Sequence, residues 1–191
     1  MTNYFRRPGS FFEQAATLFL CLIPWFVVEQ KKAINWDIEW MTTCAGRLLH
    51  GLTMTQGSYH AELPLAAIVY IPVYLLSEYA GIPFAAGGFL TTSIYVFLSC
   101  ATIFFLASRL LERDEAFLLS ALAAVAATAA FLADFGQRDQ LVALSMLPFV
   151  LGQIILTRRI DCPRALLAVV FAVGAVLVLL KPHHGLLPVV C

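Results

Sequence analysis

Long apolar runs dominate this chain, and they constrain its fold more than any single motif does. Five stretches, at about residues 11–28, 88–110, 116–133, 141–156 and 165–180, read as helices that cross a hydrocarbon core of about 30 Å. The chain is 61% hydrophobic and 13% charged, with a mean hydropathy of +0.84, so these runs are not diluted as they would be in a soluble domain. A spanning segment must satisfy its own backbone, which makes helices the expected element. The expected fold is all-α: one polytopic transmembrane bundle over 1–191, with about five spans. One or two juxtamembrane helices are expected on its outer surface, within an outer loop at 29–87.

Formal net charge is zero, and no basic run or basic–aromatic stripe is present, which excludes the electrostatic footprint of a nucleic-acid binder. Cys21, Cys44, Cys100, Cys162 and Cys191 are scattered without a CxxC pair, and most sit in or beside apolar runs as small hydrophobes. Neither a disulfide framework nor a zinc site is expected. Arg6-Arg7 precede the run from Phe11 to Val28, but bulky and then charged residues follow it where a signal peptide would carry small ones. This segment therefore reads as an uncleaved first span with a cytoplasmic N-terminus.

The stretch from Leu63 to Tyr79 contains Pro64, Pro72, three tyrosines and Glu78, and suits a kinked interfacial helix as well as a span. The distribution of basic residues decides between them. If it does not cross, Arg6, Arg7, Arg109, Arg113, Arg158, Arg159 and Arg164 are cytoplasmic, and Lys31, Lys32, Arg47, Arg138 and Lys181 lie outside. If it crosses, only Arg6, Arg7, Arg138 and Lys181 remain inside, against the rule. The non-crossing arrangement also gathers Asp37, Glu39, His60, Glu62, Asp134, Arg138, Asp139, Lys181, His183 and His184 at the outer face. Carboxylates, cations and histidines on one outer face are what a reaction on an anionic lipid head group requires.

Two acidic knots stand out in this set: Trp36-Asp37-Ile38-Glu39-Trp40 and Phe135-Gly136-Gln137-Arg138-Asp139. A short first span and an acidic outer loop come first, followed by the Tyr59-His60-Ala61-Glu62-Leu63-Pro64-Leu65 approach and a surface helix. Two spans on a charged turn and the second knot complete the order. It resembles the polyprenol-phosphate-sugar-dependent glycosyltransferases of the GT-C fold. Phe135–Leu141 and Leu180-Lys181-Pro182-His183 are similar to patterns of bacterial GT-C-like proteins. The resemblance covers nearly the whole chain, but only the N-terminal part of such an enzyme.

The resemblance implies a sugar transfer from a polyprenyl-phosphate donor to a glycan, lipid or protein acceptor, at the outer face of a bacterial inner membrane. Asp37 and Asp139 would be the catalytic carboxylates, Asp37 taking the proton of the acceptor hydroxyl as general base. Glu39, His60, Glu62, Arg138, Lys181, His183 and His184 would bind substrate; the resemblance requires no cofactor, and a divalent cation, Mg2+ or Mn2+, if one is used, would rest on Asp37 and Asp139.

Each assignment has a plainer counterpart. Trp36, Asp37 and Trp40 also suit an interfacial anchor that starts a helix running through Leu49, and Arg138-Asp139 suits a self-contained pair at a helix start. Lys181 to His184 also suits a solvated loop with Lys181 snorkelling. Where relatives often show paired prolines, only Pro64 follows Glu62. Gly87-Gly88 reads as the turn into the second span, and the small-residue ladder from Ala121 to Ala130 predicts a helix at the bundle centre. The competing functional classes are a non-catalytic truncated membrane protein and a transporter or flippase subunit, the latter requiring ionisable groups deep within the spans.

Overall fold

A computed structural model describes residues 36–52, 64–129 and 136–179. All regular structure among them is helical: α1 (Trp36–Leu49), α2 (Pro64–Ile68), α3 (Ile71–Ala80), α4 (Phe84–Ala107), α5 (Arg113–Ala129), α6 (Arg138–Thr157) and α7 (Arg164–Val178). The expected first span, and His60, Glu62, Asp134, Lys181, His183 and His184, lie outside the described residues.

Glycine punctuates the first half. Gly51 after α1 and Gly81 after α3 adopt φ of 80° and 64°, the left-handed conformation that closes a helix. Leu52 N–H then reaches Arg47 C=O at 3.0 Å, and Ile82 N–H reaches Leu76 C=O at 3.3 Å. The stretch from Leu63 to Tyr79 is interrupted at Val69–Tyr70, so α2 and α3 are 5 and 10 residues long. At 1.5 Å per residue α3 extends about 15 Å, half a hydrocarbon core. Both elements pack on α1.

Two described helices, α4 with 24 residues and α6 with 20, are long and apolar enough to cross a membrane. They pack on each other, and each forms a hairpin with its sequence neighbour, α5 with α4 and α7 with α6. Among the described residues, the ladder of small residues does not lie at the centre. Ala116, Ser120, Ala124 and Thr128 bury one face of α5 against α4, but Leu118, Leu122 and Val125 on the other are 58%, 58% and 61% exposed. The central helix is α4, which contacts α1, α3, α5 and α6. Its closeness to α1 and α3 explains Gly87 and Gly88, which are not a turn but part of its buried first turns. A Cβ on Gly88 would stand 3.2 Å from Ile38 Cγ2, and one on Gly87 3.4 Å from Val73 Cγ1.

Hydroxyls stitch the apolar helices together. Pro148 inside α6 has no N–H for the carbonyl of Leu144, and that oxygen instead accepts a hydrogen bond of 2.5 Å from Ser99 Oγ of α4. Ser120 Oγ of α5 donates to Cys100 C=O of α4 at 2.7 Å.

Candidate functional site

Antiparallel hairpins place the N-termini of α4 and α6 and the C-terminus of α5 at one end of the bundle, and the acidic knots meet there. Arg138, the first residue of α6, donates from Nη2 to both oxygens of Asp37 in the first turn of α1, at 3.2 and 3.4 Å. The two side chains, 101 positions apart, are 12% and 24% exposed, so the pair borders solvent without being fully solvated. Glu39 is exposed on α1, and Asp139 is partly buried in the first turn of α6, where its charge favours the helix dipole. Arg138 is thus engaged across the fold by Asp37 rather than confined to a local pair with its neighbour.

A buried polar lattice lies directly behind this pair. Gly136, with φ of 88°, forms the turn two residues before Arg138. Its carbonyl accepts from the buried Tyr70 hydroxyl at 2.9 Å, and its N–H donates to Gln140 Oε1 at 2.6 Å. The amide of Gln140, wholly buried, donates from Nε2 to Ala127 C=O in α5 at 2.8 Å. A Cβ on Gly136 would come within 2.8 Å of Ile38 Cδ1 and 2.9 Å of Thr92 Oγ1. Sequence reasoning assigned no role to Tyr70 or Gln140. A glutamine four residues after a glycine at the start of an apolar helix is the one local signal, because such a group, once buried, must find partners.

At the far end of α1, His50 Nε2 lies 3.0 Å from the Tyr74 hydroxyl, which donates to Glu78 Oε2 at 3.4 Å. Desolvation and, after it, the charge of Glu78 push the Tyr74 phenol above its usual value, so the hydroxyl remains a donor through neutral pH. The tyrosine ring occupies the space beside Gly46, where a side chain would strike it.

The opposite end of the bundle is rich in arginine. Arg109 and Arg113 flank the α4–α5 turn, and Arg158, Arg159 and Arg164 the α6–α7 turn, with Arg109 Nη1 reaching Asp161 C=O at 3.5 Å between the two turns. Among the described residues no group of three or more His, Cys, Asp or Glu converges to hold a metal ion. Asp37 faces the guanidinium of Arg138. Set against protein-family models, curated proteins and solved structures, the chain matches none.

Proposed function

We propose that this chain is a multi-pass protein of the bacterial inner membrane whose Asp37–Arg138 end faces outward, and that it transfers a sugar from a polyprenyl-phosphate donor to an acceptor there. Membrane residence is supported by what the long helices leave uncovered. Only 33% of the apolar window of α4 and 50% of that of α6 are buried by the described protein. Leu90, Ile94 and Leu98 on α4, and Val169, Val173 and Val176 on α7, form exposed apolar ridges that water would penalise and lipid tails accept. Orientation is supported by five arginines at one end of the bundle against Arg47 and Arg138 in the elements of the other.

The observation that carries the catalytic reading is the contact between Asp37 and Arg138, a carboxylate beside a guanidinium with both side chains mostly buried. The acceptor O–H gives its proton to the Asp37 carboxylate while its oxygen attacks C1 of the sugar. The C1–O bond to the lipid phosphate breaks with its electron pair on the phosphate oxygen, giving inversion at C1. Arg138 attracts that phosphate, a developing charge worth most to stabilise where water is scarce. Few ionisable groups lie within the described spans, which favours this reading over a transport pathway.

The test is turnover of a panel of undecaprenyl-phosphate hexoses by the chain in nanodiscs, read as release of undecaprenyl phosphate. Asp37→Asn is expected to lower the rate by about 10²–10⁴-fold, the usual share of a general base. Absence of turnover across the panel, or full activity in Asp37→Asn, overturns the reading.

A further inference from the structure

The Asp37–Arg138 pair does not explain its own existence. For an ion pair this little exposed, desolvation offsets much of the attraction, so the pair alone does not bring together residues so far apart in the chain. Something stiffer must hold the turn before α6, and the Gly136 peptide has that character. Its C=O and N–H are both claimed by buried side chains, Tyr70 at 3% exposure and Gln140 at 0%. Gln140 is used at both ends of its amide, binding α5 as well as the turn. Tyr70 is the residue from which α3 starts, and α3 is packed on α1, the helix that carries Asp37. Ile38 and Thr92 close the remaining space around Gly136. One peptide thereby fixes α1, α3, α4 and α5 against the start of α6.

We infer that Tyr70 and Gln140 are positioning residues that hold the Gly136 turn, and with it Arg138, against the carboxylate of Asp37. Removing either hydrogen-bonding group frees the turn, and the base and the anion-binding group separate. Their effect on turnover rests on the glycosyltransfer reading, but the geometric coupling does not, and the experiment keeps the two apart.

The experiment uses the full chain in membranes with its native cysteines replaced, carrying Asp37→Cys with Arg138→Cys. The ion pair is then gone, and the lattice together with helix packing holds the two positions near each other. A short bis-maleimide is expected to cross-link them quickly. Adding Tyr70→Phe or Gln140→Met should slow cross-linking about tenfold, the equivalent of one hydrogen bond of about 1.4 kcal/mol. A control pair, Phe149→Cys with Phe171→Cys, sits where those rings pack 5.4 Å apart between α6 and α7, and its rate should not change. Unchanged cross-linking in both variants overturns the inference, and so does an equal fall at both pairs, which marks general loosening. In chains with Asp37 and Arg138 intact, Tyr70→Phe should lower kcat with little change in KM. Lattice-dependent cross-linking in a chain with no turnover removes the glycosyltransfer reading and leaves the positioning assignment in place.

Discussion

Gly136 shows how little freedom the site leaves a single residue. Its φ of 88° is a conformation L side chains rarely adopt, and any Cβ there meets Ile38 and Thr92 below 3 Å. Gly136→Ala should therefore destabilise the fold by about 3 kcal/mol, combining backbone strain with overpacking, measured by thermal unfolding in nanodiscs. Gly81→Ala is the contrast: it carries a positive φ but meets nothing within 4 Å, and should cost only the strain, about 1 kcal/mol. Equal losses at the two glycines would contradict this account of the turn. Asp37 and Arg138 stood out in the sequence as charges stranded beside apolar runs, but their pairing with each other did not. Tyr70 did not stand out, since its partner is 66 positions away and no local pattern encodes that distance.

Helix α6 contains a proline within its apolar run, and the protein answers it with a hydroxyl from the neighbouring helix. Ser99→Ala would leave the Leu144 carbonyl without its donor in a poorly hydrated interface, at a cost of about 1 kcal/mol. In a Pro148→Ala background the helix supplies its own N–H, and the same serine substitution should then cost much less. A double-mutant cycle in apparent Tm measures the difference, and strict additivity would refute the pairing. The apolar runs located α4 and α6 to within a few residues, because their edges are set by hydrophobic length. The starts were placed late, at Gly88 and Leu141, since Phe84–Gly87 and Arg138–Gln140 already belong to the helices. The polar first turn of α6 looks like loop in a hydropathy reading, whereas its Asp139 complements the helix dipole. Gly87-Gly88 looked like a turn for the same kind of reason. A glycine pair reads as a break until a neighbouring helix, here α1 and α3, is known to need the room. The alanine ladder correctly marked a close helix contact, but closeness on one face does not make a helix central, and the exposed leucines opposite place α5 at the edge of the described bundle.

The molecule as a whole is organised by its two ends: a carboxylate–guanidinium site braced by buried hydrogen bonds at one, and arginine-rich turns at the other. Helical class followed from composition, because lipid leaves the backbone few alternatives. The meeting of Asp37 with Arg138 needed the antiparallel order of the helices and the shortness of α2 and α3, which hydropathy alone leaves ambiguous. The central claim is that these two ends lie on opposite sides of a membrane, with Asp37 and Asp139 on the same outer face. Single cysteines at positions 37, 139, 113 and 159, introduced into a chain without its native cysteines, test it directly with a membrane-impermeant maleimide on intact cells. Positions 37 and 139 should label at once, and 113 and 159 only after permeabilisation. Labelling of 37 and 139 from different sides, or of all four from one side, would contradict the account.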